Sequence, residues 1–210
     1  MIGQIFNATL ETLYMIFLSG FLATTLGILL GVGLYLCSRI RRLKGLYALL
    51  DLIVNIFRSI PFIILAILLI PVTKRAMGTI IGPNAAVFNL TIAAIPLMAR
   101  LSENSFNAVP SGIIDSSNSM GLNRWQMVTR VLIPETLPDQ IGNVTVLLIN
   151  LVTYTAIAGA VGAGGLGQLA INYGYYRFQW DVVFYAVIVL VVISQLIQFT
   201  GGKLSRTLRR

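Results

Sequence analysis

Gly162, Gly164 and Gly167 stand in the spacing G-x-G-x-x-G. In a βαβ unit that spacing brings backbone N–H groups against a dinucleotide pyrophosphate, provided that a strand precedes the glycines and a helix follows them. Here the residues before them, 141–161, are a long apolar run. The glycines are therefore expected to build a compact re-entrant or gate-like loop, with Gly162, Gly164, Gly165 and Gly167 as its candidate residues. No G-x-x-x-x-G-K-[ST] occurs, since Gly202-Lys203 is followed by Leu204. ATP binding by a P-loop is excluded. The chain has no histidine and a single cysteine, Cys37. Internal disulfides, His-ligated metals and His-based catalysis are excluded as well. No catalytic residue, metal ligand or bound cofactor is assigned, and Cys37, beside Ser38 and Arg39, is read as structural.

A second group of residues is polar inside otherwise apolar runs. Arg58 lies in the run 46–72, three residues before Pro61. An intramembrane charge is costly and marks a functional position. The alternative is that the helix starts later and Arg58 snorkels to the interface. Asp51 precedes it by seven residues, so no ion pair between them is assured. Pro61 and Pro96 can kink their helices and free backbone carbonyls. Asn89, Asn150, Thr153 and Tyr154 place amides and hydroxyls in other apolar runs. Such groups either bond neighbouring helices or line a path for a small polar solute. Arg58, Pro61, Asn89, Asn150, Thr153 and Tyr154 are the candidate pathway residues.

The elements that position these residues follow from composition. The 210 residues are 57% hydrophobic and only 10% charged, against about 25% charged in soluble domains, and the mean hydropathy is +0.86. This describes an all-α integral membrane protein forming one domain over residues 1–210. A crossing needs roughly 20 apolar residues. Five spans are expected, at about 13–37, 46–72, 85–99, 141–161 and 182–199, the third continuing as a more polar helix through Arg100, Glu103 and Asn107. Gly20, Ala23, Thr24, Gly27 and Gly31 give the first span a small-residue face, suited either to packing within the subunit or to packing across a dimer.

The net charge of +8 is read as basic residues retained on cytoplasmic loops rather than as nucleic-acid binding. With five spans, Arg39, Arg41, Arg42, Lys44, Arg124, Arg130, Lys203, Arg206, Arg209 and Arg210 fall on one side, and Lys74, Arg75 and Arg177 on the other. The richer side is cytoplasmic. The N-terminus is then outside, the C-terminus inside, and the glycine-rich loop faces outward.

Between the third and fourth spans lies a polar segment, about 110–134, punctuated by helix signals. Pro110 and Ser111 open a first helix, and Gly121 suits the left-handed position that stops it. Asn123 can cap a second helix, with Gln126 at capping-box spacing. Pro134 is expected to close that second helix. A helix–glycine–helix knuckle on the cytoplasmic side has the shape to dock in a groove of another protein.

The knuckle resembles the signature of bacterial ABC-importer permeases: Glu-Ala-Ala, three residues, Gly, nine residues, then Ile-x-Leu-Pro. Here Asp115-Ser116-Ser117, Gly121 and Val131-Leu132-Ile133-Pro134 keep the glycine and proline spacings, with serines in place of both alanines. Residues 57–62, 131–138, 155–168 and 173–175 are further similar to the methionine-importer permease, and the likeness covers nearly the whole chain. The resemblance implies a type I ABC importer permease carrying methionine (D or L) by alternating access. It implies a homodimer in the bacterial inner membrane, two cytoplasmic ATPase subunits that bind ATP and magnesium, and an extracytoplasmic methionine-binding lipoprotein. Asp115, Ser116, Ser117, Gly121, Asn123, Trp125 and Pro134 would couple it to the ATPase, and the chain itself would not be an enzyme. The competing readings are a permease for another amino acid, a secondary transporter, and a membrane anchor. A secondary transporter would more naturally show an internal repeat and midplane carboxylates; no clear repeat is found, and the third and fourth spans contain no carboxylate.

Overall fold

The computed structural model describes residues 2–208; Arg209 and Arg210, the last members of the C-terminal basic cluster, lie outside the described residues. No strand occurs among the described residues. Four helical runs are long and apolar enough to cross a membrane: α1 (Ile2–Arg39), α5 (Pro83–Asn107), the run Arg124–Val161, and α10 (Trp180–Leu208). The run Arg124–Val161 comprises α7 (Arg124–Met127), a π-helical turn at Val128–Leu132, α8 (Ile133–Ala158) and a 3₁₀ turn at Gly159–Val161. Helices α1 and α10 outrun the first and fifth expected spans, because polar turns at their ends extend the helix beyond the apolar stretch.

The second expected span is not a continuous helix. It divides into α2 (Lys44–Ser59), α3 (Phe62–Leu68) and α4 (Ile70–Met77). The stretches Arg41–Ser59 and Phe62–Leu68 meet at 107°. Pro61 does more than kink the helix. Ile60 and Pro61 are both extended, at ψ 124° and 136°, as expected for the residue before a proline and for a ring that offers no N–H to the preceding turn. Counted as one bent span, this segment brings the total to five.

The core is built on α1 and α5, with α8 packed against both. Gly27 and Gly31 let α1 approach α5 closely. A Cβ on Gly27 would lie 2.5 Å from Met98 Cβ, and one on Gly31 would lie 2.8 Å from the Ala99 carbonyl oxygen. Gly20 does the same toward Leu148 of α8, at 2.6 Å. The small-residue face thus packs within the subunit. Met15, Ala23, Leu90, Ala94, Met98, Leu147 and Leu151 fill the interior between these helices. Along α10, Phe184, Val187, Val191 and Phe199 are exposed, an apolar outer surface of the kind a bilayer covers.

The two ends of the bundle are distinct. Tyr35 at the end of α1 packs with Phe106, Val109, Val128 and Leu132. Ser205 of α10 donates to the Pro138 carbonyl at 2.8 Å. The knuckle, the turn at 41–43 and the end of α10 therefore share one end. The glycine-rich segment meets the start of α1 and of α5 at the other. It is more helical than a loop: α9 (Gly165–Ala170) and a π-helical turn at Ile171–Tyr175 occupy much of it.

Candidate functional site

The knuckle is α6 (Ser111–Ser119), Gly121 and α7. Gly121 has φ +76°, and around it the Leu122 N–H donates to the Ser117 carbonyl at 3.3 Å and the Gly121 N–H to the Asn118 carbonyl at 2.9 Å. These two bonds make a Schellman cap, which satisfies carbonyls that the helix end leaves open. Two residues later the Gln126 N–H donates to Asn123 Oδ1 at 2.8 Å and the Asn123 N–H donates to Gln126 Oε1 at 2.9 Å. The capping box is complete, so the turn is fixed at both sides by local chemistry.

The inner side of the knuckle is packed. Ile113, Ile114 and Met127 lie against Tyr35, Phe106, Val128 and Leu132, and Ser117 is buried with its hydroxyl donating to the Ile113 carbonyl at 2.7 Å. The outer side is open. Asp115 and Ser116 are exposed, and Met120 and Trp125 keep 78% and 67% of their surface uncovered.

Pro134 does not close the second helix. It occupies the first turn of α8, directly after the π-helical turn, where the Ile133 N–H reaches back five residues to the Val128 carbonyl. The wider turn makes room for a ring that would otherwise meet the carbonyl four residues earlier. Helix therefore runs on from the knuckle into α8.

At the opposite end the glycines have separate duties. Gly162, Gly164 and Gly165 have φ of +84°, +88° and +72°. Gly167 is an approach point instead: a Cβ there would lie 2.3 Å from the Ala156 carbonyl oxygen and 2.7 Å from its Cα. The Gly82 N–H donates to the Gly162 carbonyl at 2.9 Å, tying the segment to the start of α5. No strand precedes these glycines among the described residues; the long helix ending at Val161 leads into them and α9 follows.

The candidate pathway residues fall into two groups. Phe62, next to Pro61 at the bend, stacks on Tyr154 of α8 with ring centroids 4.9 Å apart and planes 7° apart. Phe62 also lines a small void with Ala86, Asn89 and Ala158. The structure thus gathers Pro61, Asn89 and Tyr154 into one neighbourhood. Asn89 is not free within it, because its Oδ1 accepts from Thr73 Oγ1 at 2.6 Å. Asn150 and Thr153 lie instead on a separate stripe of α8 with the exposed Val146 and Ile157. Arg58 is exposed at the end of α2, about 21 Å of helix from Lys44 at the basic end.

Three polar clusters are absent from the sequence reading. Arg100 of α5 donates to Glu103 Oε2 at 2.7 Å, to Asn55 Oδ1 at 3.1 Å and to Asp51 Oδ1. Asp51 thus pairs with Arg100 of a different helix, not with Arg58. Glu103 is 2% exposed. The three-residue spacing of Arg100 and Glu103 is visible in the sequence, but the contact with Asp51 is not. Ser102 donates to Gln140 Oε1 at 2.9 Å and Asn143 to Ser105 Oγ at 2.8 Å, joining α5 to α8. At the glycine segment, Glu11 and Thr12 of α1 accept from the Gly165 and Leu166 N–H groups.

Comparison with known proteins matches this architecture along its length. Residues 9–210 fit the family model described as binding-protein-dependent transport system inner membrane component. The probable D-methionine transport system permease protein MetI of Vibrio cholerae is 44% identical over 202 residues, covering 95% of this chain and 90% of that protein. The methionine import system permease protein MetP of Bacillus subtilis is 42% identical over 200 residues, covering 94% and 90%. A solved structure described as an inward facing conformation of the MetNI methionine ABC transporter, in its native CY5 crystal form, superimposes with a TM-score of 0.97. Its identity is 43%, with 100% of this chain and 98% of that chain covered.

Proposed function

The chain belongs to the family of binding-protein-dependent transport system inner membrane components, and we propose that it is the permease subunit of an ATP-driven ABC importer moving methionine into the cytoplasm by alternating access. Its fold is that of the type I ABC importer permeases. It is a multi-pass protein of the bacterial inner membrane, and ATP is hydrolysed by a separate partner subunit. The whole chain acts as one permease domain with its coupling segment at about 110–134.

One observation carries the reading: a doubly capped turn holds Met120 and Trp125 outward, uncovered, at the basic end of the bundle. Uncovered apolar side chains on a rigid scaffold are what a socket in a partner recognises. The partition of Arg41, Arg42, Lys44, Lys203 and Arg206 to this end supports a cytoplasmic knuckle and an N-terminus outside. The assembly we infer is a homodimer of this chain with two ATPase subunits, which hold ATP and magnesium, and an extracytoplasmic methionine-binding lipoprotein that delivers the solute. Closure of the ATPase pair moves Asp115, Ser116, Ser117, Gly121, Asn123 and Trp125 as a unit, with Pro134 in the helix that carries the motion onward. The cavity then changes the side to which it opens. Arg58, Pro61, Asn89, Asn150, Thr153 and Tyr154 remain our candidates for the pathway, and Gly162, Gly164, Gly165 and Gly167 for the gate. ATP biases the equilibrium only because the partner binds the two conformations unequally.

The test is ATP-dependent methionine uptake by proteoliposomes holding the permease, its ATPase and its binding protein, each omitted in turn. Uptake that requires all three is expected. Uptake by the permease alone would make it a secondary transporter. An intact assembly without methionine uptake would point to another amino acid.

A substitution in the knuckle tests the coupling. A Cβ at Gly121 meets nothing within 4 Å, so Gly121→Val suffers from backbone conformation alone, about 1–2 kcal/mol. That is roughly a 5–30-fold loss in the fraction of correctly shaped knuckle. Membrane insertion is expected to be normal, while stimulation of ATP hydrolysis by the loaded binding protein falls by a similar factor. Gly121→Asn, which tolerates the left-handed region, should retain most of it. Wild-type stimulation in the valine variant would remove Gly121 from the coupling element.

A further inference from the structure

Resting on the importer reading, we propose that Glu11 is a positioning residue of the gate: its carboxylate holds the glycine segment closed against α1 and must release it each time the outer side opens. Glu11 Oε2 accepts from the Gly165 N–H at 2.7 Å and Thr12 Oγ1 accepts from the Leu166 N–H at 2.9 Å. Gln168 Oε1 accepts from the Gly164 N–H at 2.7 Å. Three successive backbone donors at the start of α9 are thereby satisfied by side chains, two of them from α1. Tyr173 beyond α9 donates to Gln4 Oε1 at 3.0 Å. Gln4 and Glu11, seven residues apart, lie on one side of α1, and Thr12 follows on the adjoining buried side, so the start of α1 addresses the whole segment.

The glycines and the carboxylate form one construction. A Cβ on Gly164 would lie 2.7 Å from Glu11 Oε2, and a Cβ on Gly165 would lie 2.6 Å from Thr12 Oγ1. Both residues also have positive φ. The side-chain-free backbone is what admits α1's acceptors to the amides. Thr12 is buried, whereas Glu11 is exposed on an open polar crevice that Gln4, Asn7, Gln168 and Asn172 also line. A bond made at the rim of such a crevice can exchange its partner for water when the segment moves. The buried threonine bond cannot do so without wider unpacking. Glu11 is therefore the releasable half of the fastening.

In the complete assembly, Glu11→Ala is expected to raise ATP hydrolysis without binding protein about tenfold, which corresponds to about 1.4 kcal/mol, the lower end for a hydrogen bond to a charged group. The stimulation given by loaded binding protein shrinks correspondingly. A general loss of folding would lower both rates together and leave their ratio alone. Glu11→Gln, whose amide carbonyl can still accept from Gly165, is expected to stay within about threefold of wild type. If the alanine variant does not assemble, Glu11→Asp, one methylene short of Gly165, is expected to shift the ratio in the same direction. Hydrogen exchange in the peptide 160–175 should speed about tenfold in the alanine variant and not in the glutamine variant. Unchanged hydrolysis or unchanged exchange in Glu11→Ala overturns the proposal, and so does a glutamine variant altered as much as the alanine one. Exchange reads the fastening whatever the solute, so a wild-type assembly that fails to take up methionine, while its Glu11 variants show these exchange effects, would count against methionine as the solute and leave the fastening standing.

Discussion

Arg100→Leu is expected to destabilise the folded permease by about 3–5 kcal/mol, because it takes the cation away from a buried carboxylate and leaves it only the Tyr47 hydroxyl. Glu103 is 2% exposed, and its Oε2 accepts from Arg100 at 2.7 Å. The same guanidinium reaches Asp51 and Asn55 of α2, so its loss also weakens the fastening of a helix whose buried residue is Val54, with Tyr47 and Leu50 packed beside it. In a chain of this length the thermal midpoint in detergent should fall by roughly 6–20 °C. Asp51→Asn should cost about 1 kcal/mol or less, since Asp51 is 31% exposed and solvent screens it. The double variant Arg100→Leu with Glu103→Leu should recover most of the loss, as apolar replacement of a whole buried pair commonly does. An unchanged midpoint in Arg100→Leu would mean that Glu103 is held by other groups.

Gly167→Val is the second large effect expected. Its Cβ would lie 2.3 Å from a backbone oxygen of α8, and backbone cannot swing aside as a side chain does. Gly159 answers it from the other side: a Cβ there would lie 2.2 Å from the Gln168 nitrogen. The end of α8 and the start of α9 thus touch main chain to main chain, and any side chain at either position must pry them apart. Overpacking of this kind costs about 1–3 kcal/mol or more. It also displaces Leu166, which is fully buried. We expect uptake to fall by roughly 100-fold, the equivalent of about 2.7 kcal/mol, in protein that still reaches the membrane. Gly162→Ala should be milder, because its nearest neighbour is Ile81 at 3.4 Å and only its φ of +84° is strained. Gly33→Ala, with nothing within 4 Å, should be harmless or stabilising by about 1 kcal/mol. If Gly33→Ala impaired uptake as much as Gly167→Val, close approach would not be the cause.

What the sequence discloses is what neighbours along the chain decide. The Schellman glycine and the capping box of the knuckle involve residues no more than five apart, and both form as their spacing requires. The small-residue face of α1 repeats with the helix, so its purpose is legible, although its partner, α5, is not. Pro61 announces an interruption, but the 107° turn depends on where α3 finds Tyr154 and Asn89. Pro134 misleads, because a proline reads as a stop unless a π-helical turn precedes it, and that turn has no sequence signature. Glu11 and Gly165 are 154 residues apart, and Asp51 and Arg100 are 49 apart. Nothing periodic links such pairs, so tertiary packing alone creates them.

The uninterrupted helix from Arg124 to Val161, 38 residues, has a mechanical meaning. At 1.5 Å per residue it is a rod of roughly 57 Å. Near Thr145 it is gripped by α10, where a Cβ on Gly201 would collide with the threonine hydroxyl, and one turn on by α1 at Leu148. A fulcrum at Thr145 leaves an arm of about 32 Å toward the knuckle and about 24 Å toward the glycine segment. Tilting about that point, a stroke of about 4 Å at Trp125 becomes about 3 Å at Val161 in the opposite sense. The π-helical turn lies in the longer arm, where a compliant joint would absorb part of the stroke. On the proposed coupling, the stiffness of residues 128–132 would set how much of a push at the knuckle arrives at the glycine segment.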